Sequence, residues 1–156
     1  MSSAPDLDAL RTVADYQFGA GAGAALFPDD DAVTVRRSTS GRPRQVLADG
    51  ERLVSYLTDG RFTLGVAGGR RLRASLGDAY SVTVGDESAP FVRDAKNVFA
   101  KFVSDVDPAV RPRDEVSVVH EDGTLLAVGR AELSADGMAD FDAGVAVKVR
   151  SGIGPE

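Results

Sequence analysis

Short segments with β-strand composition alternate with turn signals along most of this chain of 156 residues. Asp49-Gly50 and Asp59-Gly60 are dipeptides that favour tight hairpin turns, and β-prone apolar runs flank both of them. Many short strands at regular spacing suit a small barrel. We expect strands near residues 33–36, 45–48, 52–57, 62–67, 80–84, 98–103, 115–120, 125–133 and 145–150.

Helical patterns interrupt this β framework, which makes the predicted fold class α+β. Apolar residues recur at helical spacing over residues 7–27, with Asp6 as a candidate N-cap. Gly19, Gly21 and Gly23 weaken that helix, although residues 24–27 could add a turn. These three glycines indicate close packing or a bend in the chain. A phosphate-binding loop is rejected, because no strand precedes them and no Lys-Ser or Lys-Thr follows. Short helices or turns are also predicted at residues 93–97 and 135–141, the latter capped by Ser134.

Composition excludes several kinds of chemistry. The chain has no Cys and a single His, His120, so disulfides and Cys/His zinc sites are impossible. His120 beside Glu121 and Asp122 could act as a general base, but no nucleophile accompanies it. The run Asp29–Asp31 is interpreted as a solvated surface in preference to a cation site. We therefore predict no catalytic residue, no metal and no cofactor.

The charge pattern is acidic but does not exclude a nucleic-acid partner. The net charge is −6, most acids are Asp, and Arg greatly outnumbers Lys. This composition resembles that of salt-in halophilic archaea, with an acidic mesophilic protein as the alternative. In molar salt the Debye length is about 3 Å, so long-range repulsion of phosphate would be small. The polar start and the lack of an 18-residue apolar run predict a cytoplasmic protein with no membrane segment.

Four sequence blocks in the second half resemble a PUA domain, a small RNA-binding barrel. They are Pro90-Phe-Val-Arg-Asp-Ala-Lys-Asn-Val-Phe-Ala-Lys-Phe-Val103, Arg111-Pro-Arg-Asp-Glu-Val116, Leu126-Ala-Val-Gly-Arg-Ala131 and Gly144-Val-Ala-Val-Lys-Val-Arg150. The resemblance implies that residues 77–156 form a β pseudo-barrel. It also implies that the chain holds RNA and does not transform it.

The first half resembles the module that precedes the PUA domain in archaeal tRNA-guanine transglycosylases and their archaeosine-synthase relatives. Val13-Ala-Asp-Tyr-Gln-Phe-Gly-Ala-Gly-Ala-Gly-Ala-Ala-Leu-Phe27 and Arg37-Ser-Thr-Ser-Gly-Arg-Pro-Arg-Gln-Val46 carry this likeness. Residues 1–76 are therefore expected to form a helix and an antiparallel meander. In that family the chemistry lies in a large barrel with a Cys/His zinc site, which this sequence lacks. The resemblance thus implies a non-catalytic tRNA-binding protein that works with a catalytic transglycosylase-like subunit.

The candidate RNA-binding residues form three groups. Two of the three lysines fall in the segment that lines the RNA groove of PUA domains, and the last strand and a basic loop add further cations. Phe99 either stacks on a base or packs in the core, whereas Tyr16 and Phe18 are interpreted as packing residues. Lys148 and Arg150 share the outward face of their strand, where they bind RNA or protect a sheet edge. The full set is Arg93, Lys96, Asn97, Phe99, Lys101, Lys148, Arg150, Arg42 and Arg44.

Two positions depart from the PUA pattern. Ala95 and Arg113 stand where PUA sequences often have Gly, so either the RNA contact is altered or the turn adopts another geometry. Two alternatives to tRNA modification also stay open. One is a stand-alone PUA protein in ribosome maturation or translation, and the other is a protein-binding adaptor without RNA affinity. The sequence leaves the oligomeric state undetermined.

Overall fold

The computed structural model describes residues 4–155, with side chains from Asp6 onward. The chain divides after Gly77 into two compact units, next to the expected boundary. The first unit holds helices α1 (Ala4–Phe18) and α2 (Ala22–Leu26) and a 3-10 turn (Asp30–Ala32). A four-stranded sheet follows, with β1 (Thr34–Arg37), β2 (Pro43–Ala48), β3 (Glu51–Tyr56) and β4 (Phe62–Leu64), and the unit ends with α3 (Val66–Leu76). The sheet order β1-β2-β3-β4 is antiparallel throughout, as expected for a meander.

Helix α1 buries the face that its periodicity predicts. Leu7, Leu10, Ala14 and Phe18 are buried, and Val13 is half-buried. Asp6 lies in the first turn and is not the N-cap, because the helix already begins at Ala4. Tyr16 is 93% exposed, so the interpretation of Tyr16 as a packing residue is wrong.

The side-chain amide of Gln17 joins α1 to the outer strand β4. Its Nε2 donates to the Phe62 carbonyl at 2.9 Å, and its Oε1 accepts from the Phe62 N–H at 2.8 Å. The Phe62 ring meets Phe27 edge to face, with centroids 6.1 Å apart.

Helix α3 corrects the prediction that residues 62–67 form a strand. The strand ends at Leu64, and Gly65 begins the helix as its N-cap. A Cβ at Gly68 would lie 2.1 Å from the Leu53 carbonyl oxygen, and one at Gly65 would lie 2.2 Å from that of Arg52. These glycines lower the helix propensity of the segment, but they let the backbone of α3 lie directly on β3.

The glycine run after α1 serves close packing and a bend, which confirms that interpretation. Gly19 and Gly21 have positive φ angles of 105° and 93°. A Cβ at Gly23 would lie 2.5 Å from the Arg11 carbonyl oxygen, so α2 packs tightly against α1. Asp15 accepts a hydrogen bond from the Gly23 N–H at 2.7 Å and fixes this corner.

The second unit is a nearly closed mixed sheet, which confirms the predicted pseudo-barrel. Its elements are β5 (Ser81–Val84), α4 (Ala89–Arg93), β6 (Val98–Phe99), β7 (Val103–Val106), β8 (Glu115–His120), β9 (Leu125–Ala131), α5 (Ala135–Asp140) and β10 (Val145–Gly152). The strand order is β6-β10-β9-β8-β5-β7, with β5 and β8 parallel and the other pairs antiparallel. The Ser134 Oγ caps α5 by accepting from the Gly137 N–H at 3.0 Å, as the sequence predicts.

The interior of this unit is made largely of valine and alanine. Val82, Val116, Val118, Ala127 and Val147 are fully buried in a single cluster with their neighbours. Small β-branched side chains fill the narrow space inside a strongly curved sheet. The interior of this unit is therefore a packed apolar core.

Candidate nucleic-acid interface

The turn after α4 has a left-handed residue at its tip. Ala95 has a φ of 64°, and Arg113 elsewhere in the unit has a φ of 77°. The Ala95 N–H donates to the Val92 carbonyl at 2.9 Å, and the Lys96 N–H donates to Phe91 at 3.0 Å. The alternative that these turns adopt another geometry is therefore wrong. The chain keeps the conformation that glycine favours and carries the cost of a Cβ there, about 1–2 kcal/mol.

Arg93 and Asn97 fix this turn on strand β10. Asn97 Oδ1 accepts from the Val149 N–H at 3.0 Å, and Arg93 Nε donates to the Gly154 carbonyl at 3.1 Å. Gly152 permits the contact, since a Cβ there would lie 2.2 Å from the Arg93 carbonyl oxygen. Arg93 and Asn97, which were both predicted to bind RNA, thus hold the backbone of this turn in place through hydrogen bonds within the chain.

The three lysines remain available to a ligand. Lys96 and Lys148 are exposed and make no hydrogen bond or ion pair with the residues that the structure describes. They lie next in the chain to Asn97 and Val149, the two residues that this hydrogen bond joins. Lys101 is also exposed, and its Nζ lies 5.0 Å from the centroid of the Phe102 ring. The segment after α4 and strand β10 therefore each carry an exposed lysine that no described carboxylate neutralises.

The segment at residues 98–103 is not the single strand that the sequence predicts. Strand β6 stops at Phe99, a 3-10 turn covers Ala100–Phe102, and β7 begins at Val103. Phe99 is 47% exposed, so the alternative that it packs in the core is wrong. Its ring is accessible to a planar group such as a nucleobase.

Arg150 is engaged within the chain. Its two terminal nitrogens contact Glu115 Oε1 and Oε2 at 2.6 and 2.8 Å, and Glu115 is 4% exposed. Burial of an unpaired carboxylate costs free energy, and the bidentate ion pair with Arg150 compensates for that cost at Glu115. Strand β10 lies between β6 and β9 in the sheet order, but its pairing with β6 ends at Val147. The alternative that Lys148 and Arg150 protect a sheet edge therefore stays open.

Arg130 is a cation of this face that sequence reasoning missed. Glu115, Arg130 and Lys148 are successive cross-strand partners in β8, β9 and β10. Arg130 is exposed and forms an ion pair with Glu132 at 3.1 Å. Arg130 belongs to the Val-Gly-Arg-Ala block that resembles a PUA domain, but residue alternation within one strand does not show which strand lies opposite Lys148.

In the first unit, Arg42 and Arg44 have different environments. Arg42 lies 4.5 Å above the Tyr56 ring and donates to the carbonyls of Tyr56 and Leu57. It therefore fixes the β1–β2 loop on the end of β3, and this loop is not freely mobile. Arg44 is exposed on β2 and makes no hydrogen bond or ion pair among the described residues, and the same holds for Arg36 on β1.

His120 lies beside an open groove of about 590 Å³ that α4 and the β8–β9 turn border. Its Nε2 lies 2.6 Å from Asp86 Oδ1, and its Nδ1 lies 3.0 Å from Asp122 Oδ1. Hydrogen bonds to Asp86 and then Asp122 raise the pKa of His120. Hydrogen bonds from Thr124 and His120 lower the pKa of Asp122 to about 2. These partners stabilise the imidazolium, which suits an ion pair better than a general base.

The described residues contain neither a candidate metal centre nor a membrane-spanning helix. No cluster of three or more His, Asp or Glu side chains within residues 4–155 could hold a metal ion. No helix in the same range is long and apolar enough to cross a membrane.

Comparison with known proteins identifies both units. Residues 80–153 match the PUA domain, and residues 8–78 match the patch-forming domain C2 of tRNA-guanine transglycosylase. The chain is a PUA-domain protein. Its two modules, in the same order, resemble the C-terminal region of archaeal tRNA-guanine transglycosylases.

Relatives at the sequence level are tRNA-guanine(15) transglycosylases. The protein of Methanothermobacter thermautotrophicus is 46% identical over 150 residues, which cover 94% of this chain and 23% of the relative. That of Thermococcus kodakarensis is 46% identical over 146 residues, covering 92% and 25%. This PUA-domain protein thus spans about a quarter of the length of the curated relatives it matches.

Solved structures show the same fold. A hypothetical protein from Pyrococcus horikoshii OT3 matches with a TM-score of 0.73 at 21% identity, covering 95% of this chain and 90% of that one. A conserved PUA-domain protein from Thermoplasma acidophilum matches with a TM-score of 0.61 at 22% identity, covering 80% and 78%.

Proposed function

We propose that this protein is a non-catalytic RNA-binding protein whose partner is tRNA. The observation that carries the proposal is the exposed cation pair Lys96 and Lys148, held beside the left-handed turn of a PUA domain. Unneutralised ammonium groups on a fixed backbone suit contact with phosphate, and the exposed Phe99 ring suits stacking on an unpaired base. The names of the relatives support tRNA as the RNA.

We further propose that the protein acts in or with archaeosine-type tRNA modification, beside a catalytic transglycosylase-like subunit. The relatives are named for that reaction and share both modules with this chain. Both ring nitrogens of His120 are paired with carboxylates, which supports a role without chemistry of its own.

Charge reversal tests the binding site. Lys96→Glu with Lys101→Glu should weaken binding to tRNA transcripts by at least about tenfold, because two attractive phosphate contacts become repulsive. Arg111→Glu is the control, since Arg111 is exposed in the same unit but is not among the predicted RNA-binding residues. Fluorescence anisotropy measures the affinity, and circular dichroism checks the fold. Equal affinities of the three proteins would refute the site.

A cellular experiment tests the role. Deletion of the gene should lower the archaeosine content of bulk tRNA, measured by liquid chromatography and mass spectrometry, and the wild-type gene should restore it. Sequencing of RNA crosslinked to the protein separates the alternatives. Enriched ribosomal RNA would favour ribosome maturation, and the absence of RNA with retained protein partners would favour an adaptor.

A further inference from the structure

Two cations lie directly opposite each other on the outer surface of the second unit. Lys148 in β10 and Arg130 in β9 are register partners, and both are exposed. Their chain neighbours Val147 and Ala131 are fully buried, so the two charged side chains point away from the core. Side chains directly opposite in an antiparallel pair have Cβ atoms about 4.5–5.5 Å apart, and like charges there destabilise the sheet. The fold therefore holds two positive charges together at a cost to its stability.

The carboxylates nearest to this pair neutralise it only in part. Glu115 is the other register partner of Arg130, but its two carboxylate oxygens bind Arg150 at 2.6 and 2.8 Å. Arg130 instead bonds Glu132 on its own strand at 3.1 and 3.4 Å, longer than the roughly 2.7–2.9 Å of a strong charge-assisted bond. The Arg130 and Glu132 side chains are 45% and 33% exposed, and ion pairs in such positions add little stability. Since no described carboxylate pairs with Lys148, the two cations keep a net positive charge, and Glu132 is easily displaced.

On the basis of the RNA-binding function proposed above, we propose that Arg130 and Lys148 hold a phosphate of the bound RNA between them, with Glu132 displaced from Arg130. Phosphate oxygens accept hydrogen bonds from the guanidinium and the ammonium group together. The repulsion between the two cations is then replaced by attraction to a shared anion. In the free protein, Glu132 takes the place of the phosphate at Arg130.

The position of Phe99 fits a nucleotide at this place. Strand β6 pairs with β10 on the side away from β9, and Val98 lies opposite Val147. Both valines are buried, whereas Phe99 is 47% exposed and points outward like Lys148. Three adjacent strands, spaced about 4.8 Å apart, thus present an aromatic ring, an ammonium group and a guanidinium group on one face. This order suits a nucleotide whose base stacks on the ring and whose phosphate contacts the cations.

The ion pair with Glu132 means that Arg130 adds affinity but little salt dependence. When Arg130 moves from Glu132 to a phosphate, the RNA releases a cation and the exposed carboxylate takes one up. Glu132→Gln abolishes this exchange. The substitution should therefore raise the affinity for a tRNA transcript by at least about threefold and make the slope of log affinity against log salt steeper.

Replacement of Arg130 in the Glu132→Gln protein separates a phosphate contact from the masking of an acid. In the wild-type protein, Arg130→Gln would weaken binding in either case, because it leaves Glu132 as an unpaired carboxylate. In the Glu132→Gln background no such carboxylate remains. Arg130→Gln should still lower the affinity there by at least about threefold and make the salt slope shallower by about 0.7–0.9. Arg111→Gln in the same background is the control and should change the affinity little, since Arg111 is exposed but not among the predicted RNA-binding residues.

Fluorescence anisotropy with a tRNA transcript measures each affinity, and circular dichroism checks that these exposed substitutions leave the fold intact. Equal affinities of Glu132→Gln with and without Arg130→Gln would overturn the phosphate contact. RNA binding itself would still be supported if Lys96→Glu with Lys101→Glu weakened it. An unchanged or lower affinity of Glu132→Gln alone would overturn the displacement of Glu132. A wild-type protein with no affinity for tRNA would overturn RNA binding and this contact together.

Discussion

Single residues decide how the turn after α4 is built, and Ala95 is the clearest case. We expect Ala95→Gly to stabilise the protein by about 0.5–1 kcal/mol. The relief of the left-handed Cβ exceeds the added freedom of glycine in the unfolded chain. Ala139→Gly, on the exposed face of α5, should instead destabilise by about 0.5–1 kcal/mol. Urea denaturation of the three proteins measures both effects, and a loss of stability in Ala95→Gly would contradict the strain.

His120 gives a second prediction at this scale, and as the sole histidine it yields a single imidazole signal. Asp86→Asn should lower its pKa, because the hydrogen bond to Asp86 is the largest cause of the increase. Asp105→Asn, an exposed control, should leave the titration unchanged. Since the folded-state pKa is raised, the stabilising contribution is full below the unfolded value of 6.5. It is lost as the pH rises through the folded-state pKa. An NMR titration that finds no difference for Asp86→Asn would refute the pair.

The sequence shows which residues are charged, but it does not show whether their side chains are already bound by other residues of the chain. Lys96, Lys101 and Lys148 are exposed as their positions suggest. Arg150 and Arg42 look equally free in the sequence, but they bind Glu115 and the end of β3. Their partners are distant in the chain, so only the tertiary fold reveals that they are occupied.

At the scale of elements, α3 depends on a glycine that lowers its helix propensity. We expect Gly68→Ala to destabilise the protein by at least about 2 kcal/mol, although alanine favours a helix by about 1 kcal/mol. The new methyl group would meet the carbonyl of Leu53, which the sheet holds in place. Ser75→Ala, exposed on the same helix, should be neutral or slightly stabilising. Thermal unfolding measures both, and a gain in Gly68→Ala would show that α3 lies off the sheet.

Strands β8 and β10 are joined outside the core by the pair of Glu115 and Arg150. Arg150→Ala should cost about 2–3 kcal/mol, because the buried carboxylate loses its compensating charge. Adding Glu115→Gln should restore much of that loss. The same single change should alter tRNA affinity little once binding is measured at a temperature where the protein is folded. A large loss of affinity without loss of stability would place Arg150 among the RNA ligands.

Periodicity predicts most elements correctly and fails where glycine or tight turns break the pattern. The buried face of α1, the meander and the Ser134 cap follow from local sequence. Helix α3 does not, because two glycines mask its period while packing on β3 compensates for their poor propensity. The 3-10 turn Ala100–Phe102 has a strand-like composition, so its departure from the sheet is set by tertiary contacts.

For the whole molecule, the balance of charge shapes how RNA binding should respond to salt. The net charge of −6 gives no overall attraction to phosphate, so affinity must come from a few close cations. Three lysine contacts predict that the slope of log affinity against log salt is about −2 to −3. Lys148→Gln should make the slope shallower by about 0.7–0.9. Titrations of tRNA in KCl measure both slopes, and an unchanged slope would remove Lys148 from the site.

The place of β10 in the second unit has a consequence for biosynthesis. Residues 145–152 are the last strand of the unit to be made, yet they lie between β6 and β9 in the interior of the sheet. While the ribosome is still extending the chain, β6 has no neighbour and β9 lacks one side. Domains tend to fold as units once their chain is available, so this one must wait until residue 152 has left the exit tunnel. Its lysine site therefore forms only after β10 has been made, when the Val149 N–H can donate to Asn97 Oδ1.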